Sequence, residues 1–301
     1  MVASYLSLEK GVIQKRVKKL KNQLRNCNIC ARECGVDRLG EERGDCEVGE
    51  KIRISSVTPH FGEESPLVGT NGSGTIFLAS CNLSCVYCQN YELSQFRQGN
   101  QATIDHVAEK MLELQERGCH NINWVSPSHF VPQLVEALTK AKEGGLEIPI
   151  VYNTGGYDNP ETLKLLDGIV DIYMPDIKYS SNRAGLKYSK VPDYWDVSRK
   201  AVGEMWDQVG DLTLDERGIA QKGLLVRHLI LPEGVAGTEE VLKFLAKEIS
   251  EDTYVNLMRQ YRPCWKASEY EKLNRRITGE EYYQAVDFAR TLGLHRGLSQ
   301  G

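Results

Sequence analysis

From residue 74 onward, short apolar runs alternate with stretches of helical periodicity. The runs are GTIFLAS (74–80), NINWVS (121–126), PIVYNT (149–154), GIVDIYMPDIK (168–178), GLLVRHLILP (223–232) and TYVNLMRQY (253–261). They are rich in Ile, Val, Leu and Tyr, and they predict strands. Helical segments follow them at about 102–117, 129–143, 160–166, 192–209, 238–250 and 278–292. Strands alternating with amphipathic helices make βα units and a parallel sheet. Six units fit in about 230 residues, whereas a closed eight-unit barrel typically needs about 250. The expected fold is therefore α/β, a partial (β/α)6 TIM-like barrel open on one side. A doubly wound sheet is the structural alternative.

The first 70 residues read differently. In EKGVIQKRVKKLKNQLR (9–25), Val12 or Ile13, Val17, Leu20 and Leu24 fall at helical spacing, which predicts a basic helix with a narrow apolar stripe. Residues 26–50 contain no long apolar run, so a metal would have to hold that segment together. The expected division is an N-terminal helix and four-cysteine segment over 1–70 and a barrel domain over 71–301. No run of 18 apolar residues occurs, which excludes a predicted transmembrane helix. The start, MVASYLSLEKGVIQ, has no charged leader followed by an apolar stretch, so the expected location is cytoplasmic. The formal net charge of −4 argues against nucleic acid as the main partner.

Nine cysteines change the picture. Cys27, Cys30, Cys34 and Cys46 form one cluster, Cys81, Cys85 and Cys88 a second, with Cys119 and Cys264 apart. Clustered cysteines in a reducing compartment read as metal ligands. The second cluster, SCNLSCVYCQN, has the spacing C-x3-C-x2-C and directly follows the first strand. Cysteine thiolates are the ligands of iron–sulfur clusters. Three thiolates on a four-iron cube leave one iron open, as a catalytic metal requires. The loop also falls at the C-terminal end of a barrel strand, where active sites of such barrels lie.

This spacing resembles the signature of the radical SAM superfamily. GSGTIFLASCNLSCVYCQN, NINWVSPSHF, VYNTGGY, DIYMPDIKY, GLLVRHLILPEG and NLMRQYRP further resemble the branch related to pyruvate formate-lyase activating enzymes, including Fe–S members with an added N-terminal cysteine cluster. The resemblance covers about residues 26–290. It implies that Cys81, Cys85 and Cys88 hold a [4Fe-4S] cluster whose open iron is chelated by the amino and carboxylate groups of S-adenosylmethionine (SAM). One electron then cleaves the sulfonium and releases a 5′-deoxyadenosyl radical. Tyr87, just before the third cysteine, would lie near the adenine.

Further contacts are implied strand by strand. Relatives often carry Gly-Gly-Glu after the second strand for the SAM amino group. This chain has SPSH there, which leaves Ser126 or local carbonyls for that contact, while Ser128 is placed to cap the next helix. Asn153 stands where glycyl-radical activases carry an acid, and its amide can hydrogen-bond but supplies no charge. Asp176 and Lys178, two apart on a strand, point the same way and serve as SAM contacts or as a rim ion pair. Arg227 would pair its planar fork with the SAM carboxylate. The resemblance makes Lys178 and Arg227 the catalytic candidates. His228 would face the other side as a satisfied histidine under a helix. Cys264 is either a substrate-facing thiol or inert, and Cys119 reads as buried.

The spacing x2, x3, x11 of Cys27, Cys30, Cys34 and Cys46 suits a structural zinc or a second [4Fe-4S] cluster, and does not choose between them. The expected function is that of an anaerobic radical SAM oxidoreductase acting on an unidentified protein, peptide or small molecule, with a glycyl-radical enzyme as the target by analogy. A flavodoxin- or ferredoxin-type donor would supply electrons. The alternative is an iron–sulfur electron carrier or zinc-dependent binding module without SAM chemistry. A carrier would complete its cluster with four cysteines, and the 81–88 loop has three.

Overall fold

The computed structural model describes residues 2–298; Met1 and residues 299–301 lie outside them. Its strands are β1 (Arg53–His60), β2 (Ser73–Leu78), β3 (Asn100–Gln101), β4 (Ile122–Val125), β5 (Ile150–Thr154), β6 (Ile172–Pro175), β7 (Thr213–Leu214), β8 (Ala220–Leu229) and β9 (Tyr254–Met258). Its helices are α1 (Lys10–Asn22), α2 (Ser65–Val68), α3 (Tyr91–Ser94), α4 (Ile104–Glu116), α5 (Val131–Glu143), α6 (Pro160–Leu163), α7 (Asn182–Ser189), α8 (Tyr194–Val209), α9 (Thr238–Phe244) and α10 (Gly279–Thr291).

Six parallel strands, β2, β4, β5, β6, β8 and β9, pair in chain order. This is the partial (β/α)6 barrel. The arc stays open because β1 pairs antiparallel on the outer edge of β2, and β3 continues beyond it. The six expected strands match the six parallel ones, with ends moved by a few residues. Residues 150–154 are all buried, as in a strand covered on both faces. The 168–178 run is shorter as a strand, since Pro175 has no N–H to continue the ladder. Asp176 still bridges to Arg227 beyond it.

Six elements were not expected: the short α2, α3, β3 and β7, and two, β1 and α7, that bear on the site. β1, RISSVTPH, has mixed burial and no clean alternation, because it is a covering edge strand. α7 is a short helix whose start is capped by Ser181. Its position matters, because its end supports the cysteine loop. The segment at 53–60 therefore joins the barrel's own sheet, across the expected division at residue 70.

The basic N-terminal helix packs as the stripe requires. Ile13, Leu20 and Leu24 are buried, and Val12 is exposed. Its lysines meet α5, where Lys10 pairs with Glu143 and Lys21 with Glu136, each at 2.7 Å. Lys142 of α5 ties down the preceding segment through the carbonyls of Tyr5, Leu6 and Leu8 at 2.6–3.2 Å. No helix among the described residues is long and apolar enough to cross a membrane.

His228 is buried behind β8. Its Nδ1 lies 2.6 Å from the Ile177 carbonyl and its Nε2 2.9 Å from the Thr238 hydroxyl. Burial pulls its pKa down to about 4 from an ordinary 6.5. The unfolded chain thus takes up a proton that the folded chain refuses. The contribution of His228 to stability is full above pH about 6.5 and declines as pH falls toward about 4. We expect the unfolding free energy, measured in denaturant, to drop over that window. His228→Gln should be less stable at pH 7 and show a shallower slope. Equal slopes would contradict this account of His228.

Candidate functional site

The cysteine loop begins where β2 ends. Ser80 takes a positive φ of 78°, which turns the chain out of the sheet, and its N–H is held by the Leu93 carbonyl at 2.8 Å. The loop then leans on neighbours. Ser84 and Val86 donate to the carbonyls of Ser189 and Tyr188 at the end of α7, at 3.0 and 2.8 Å. Asn82 donates to the Tyr157 carbonyl at 2.7 Å, and Lys266 closes the far side by donating to the Val86 carbonyl at 3.0 Å. An apolar cluster including Leu83, Val86, Tyr157, Tyr179, Tyr194 and Tyr261 packs around the loop.

Each sulfur has a local contact. Cys81 Sγ accepts from the Leu83 N–H at 3.4 Å, Cys85 Sγ lies 3.0 Å from the Ser189 hydroxyl, and Cys88 Sγ lies 3.2 Å from that of Ser94. Burial, then the neighbouring Cys85, pushes the Cys81 thiol up to about 12. Burial also raises Cys85, against the pull of Lys178. Without a metal these groups stay protonated, so metal binding must release the protons.

One cavity of about 1270 Å³ opens at this end of the barrel. Cys81, Cys85, Cys88, Tyr87, Ser126, Asn153, Asp176, Lys178 and Arg227 all line it. The residues singled out at the ends of four strands and on the loop are thus gathered around one space. Ser126, with φ 59°, turns the chain after β4, and its N–H bonds to the Asn153 carbonyl at 2.9 Å. Lys178 Nζ meets Asp176 Oδ2 at 2.6 Å. Burial works against the charge on Lys178, yet Asp176 and then Cys85 hold its pKa above the usual lysine value. Tyr87 is buried, with its ring edge-on to Tyr179 and Tyr261 at 6.3 and 5.9 Å. Cys119 is buried, and Cys264 is half-buried outside the cavity wall.

Arg227 has partners that the sequence did not reveal. Its Nε and Nη2 reach Glu64 at 2.7 and 2.6 Å, and Nη2 also meets Glu63. Asn256 Nδ2 donates to Glu64 at 2.7 Å. The fork expected for the SAM carboxylate is therefore made with the Glu64 carboxylate. Burial raises the Glu64 pKa, but Arg227 and Asn256 outweigh it and hold it below the usual value. Glu63, Glu64 and Asn256 were missed. Both glutamates lie in FGEESP, a short polar loop between strands about 160 residues from Arg227, and no local spacing marks them.

The four N-terminal cysteines lie outside this cavity. They influence one another: Cys30 is raised first by burial and also by Cys46 and Cys27, and Cys34 by burial and then Cys27. No disulfide joins any pair among the described residues. Gly44 passes so close to Cys34 that a Cβ there would fall 2.4 Å from its Sγ.

The cavity residues fit the cofactor set that the motif implies. The donors at its base are three sulfurs and no fourth cysteine lines the wall. Among the described residues no three His, Cys, Asp or Glu side chains are drawn together closely enough to enclose a single metal ion. The wall adds charges of both signs and an aromatic face, and the volume exceeds the range of about 300–1,000 Å³ common for one small ligand.

The model of the radical SAM superfamily matches residues 75–209. Two uncharacterized proteins of Methanocaldococcus jannaschii are similar along most of the chain. MJ0674 is 31% identical over 290 residues, covering 94% of this chain and 80% of its own. MJ0808 is 27% identical over 302 residues, covering 93% and 81%. Among solved structures, native anSMEcpe with bound AdoMet is similar with a TM-score of 0.47 at 13% identity, covering 71% of this chain and 57% of its own. HydG, a maturase of the [FeFe]-hydrogenase, gives 0.49 at 13% identity, covering 96% and 63%. The chain thus spans less than two thirds of either solved chain.

The Arg227 cluster makes a stability prediction. Glu64→Gln leaves a buried guanidinium with Glu63 as its remaining carboxylate, and should cost about 3 kcal/mol at pH 7. Because the folded Glu64 pKa lies below its ordinary 4.5, the deficit is full above pH about 4.5. It should close as pH falls through the folded value. A pH series of denaturant melts on both proteins checks this, and a deficit independent of pH would refute it.

Proposed function

This chain belongs to the radical SAM superfamily, and from that premise we propose that it reductively cleaves SAM at a [4Fe-4S] cluster held by Cys81, Cys85 and Cys88. The single observation that carries the reading is the convergence of these three thiols with Tyr87, Asn153, Asp176 and Lys178 on one cavity at the C-terminal ends of the parallel strands. When bound, the cluster and SAM supply the electron and the 5′-deoxyadenosyl radical that removes a hydrogen atom from the substrate.

The chain's own residues bind and orient. Tyr87 offers a ring edge or face to the adenine. Asn153 and Ser126 offer neutral donors and acceptors to the polar end of SAM. Lys178 brings a positive charge next to the cysteines, paired to Asp176. Arg227 keeps its Nε and Nη2 on Glu64 and Glu63, so it offers SAM a single nitrogen, Nη1, and long-range charge rather than a fork. Its role is accordingly positioning. The hydrogen-atom source enters through the mouth of this cavity. The kinship with glycyl-radical activases favours a glycine of a partner enzyme as that source. A flavodoxin- or ferredoxin-type protein of the cytoplasm supplies the electron. An electron carrier without SAM chemistry fits less well, because the cavity offers three sulfurs and a wall for a bound organic molecule.

The reading is tested by incubating the reduced, iron-loaded protein with SAM under anaerobic conditions and measuring 5′-deoxyadenosine. We expect turnover in wild type and none above background in Cys85→Ala. Asn153→Ala should weaken SAM binding about tenfold, the worth of roughly one hydrogen bond in a dry site. Product formation by Cys85→Ala at the wild-type rate would sink the assignment.

A further inference from the structure

We propose that Cys27, Cys30, Cys34 and Cys46 bind a second [4Fe-4S] cluster, countered in charge by the buried Arg38, and that this cluster passes electrons to the one at Cys81, Cys85 and Cys88. The electron-transfer half rests on the function proposed above; the metal site stands without it.

The argument begins with Arg38. It is only 1% exposed, yet no carboxylate pairs with it among the described residues. Its Nη1 donates to the His129 carbonyl at 2.8 Å and its Nη2 to the Gly49 carbonyl at 2.9 Å. Its Nε is buried without a partner. Its remaining neighbour is sulfur: Nη1 lies 3.9 Å from Cys27 Sγ. A guanidinium taken out of water needs a compensating negative charge, or it costs several kcal/mol. Four neutral thiols do not supply one. Four thiolates around a metal centre do, since they outnumber its positive charge.

One observation favours a cluster over a zinc ion. The two cysteine sets are joined by short links. The Ser80 hydroxyl donates to the Cys46 carbonyl, and Ser80 is bonded directly to Cys81. Arg32, two residues after Cys30, donates from Nε to the Asn82 carbonyl at 2.8 Å. Cys30 itself bridges to Asp158, next to the Tyr157 carbonyl that takes the Asn82 amide at 2.7 Å. Zinc has no redox chemistry, so these links would carry nothing. With a cluster they form a path. One electron leaves a reduced flavodoxin- or ferredoxin-type donor and reduces the N-terminal cluster. The same electron then passes to the catalytic cluster, which is reduced as the first is reoxidised, with no proton or atom transferred. Arg38 stabilises the reduced, more negative state and sets the potential of the N-terminal cluster.

The test uses the full chain, reconstituted anaerobically with iron and sulfide. Wild type should hold about eight irons, and Cys27→Ala/Cys34→Ala about four. In the dithionite-reduced wild type, electron paramagnetic resonance should show two clusters whose signals are broadened by mutual coupling. SAM should shift one of them and leave the other. If the double variant fails to fold, Arg38→Gln supplies the second arm: it should keep about eight irons and lower the midpoint potential of the SAM-insensitive signal alone. About four irons with one zinc in wild type would overturn the second cluster, and no shift of either potential in Arg38→Gln would overturn its charge pairing with Arg38. Two sharp, uncoupled signals would overturn the electron path. Absence of iron from both proteins would overturn the radical SAM function itself, a result distinct from either.

Discussion

The structure depends on one constraint: three sulfurs must be held at the rim of the first parallel strand, on a loop with almost no regular structure of its own. Everything near the loop serves that. Ser80 turns the chain out of β2 in a backbone conformation that L residues seldom adopt. The carbonyls at the end of α7 take the Ser84 and Val86 N–H groups. A set of tyrosines, buried with their rings edge-on or stacked, fills the space behind. Burial raises the Cys81 and Cys85 thiols, so a metal centre bound there would have to replace their protons.

The same constraint explains the open barrel. A closed ring would fill its centre with side chains. Here six parallel strands stop short of closure, and β1 covers the edge of β2. The rim is left wide enough for a cavity of about 1270 Å³ bounded by residues from the whole arc. Glu64, on the connection leaving β1, reaches across to Arg227 on β8. With Asn256 of β9 also donating to Glu64, this buried group ties the β1 end of the arc to β8 and β9, where no strand pairing does so.

Much of this was legible in the sequence, and for physical reasons. Runs such as PIVYNT are buried on both faces, so their apolar character is continuous and their strands were evident. The C-x3-C-x2-C spacing is local and lies directly after a strand, which places it at the rim. Asp176 and Lys178 are two apart, and strand geometry alone puts them on one face. What was not legible depends on long-range contact. β1 lacks alternation because only its pairing with β2 makes it a strand. Glu63 and Glu64 sit in a loop that reads as solvent-facing, and only the fold brings Arg227 to them. Arg38 reads as one of several basic residues between cysteines, until its burial without a carboxylate is seen.

The most direct test of the central claim asks whether the open corner of the Cys81 loop cluster receives SAM. Electron–nuclear double resonance on the reduced protein with SAM labelled at its amino nitrogen and carboxylate oxygen reads that contact. The account predicts hyperfine coupling from both labels to the cluster spin, lost in Cys85→Ala. Labelled SAM that binds without coupling to any cluster would contradict it.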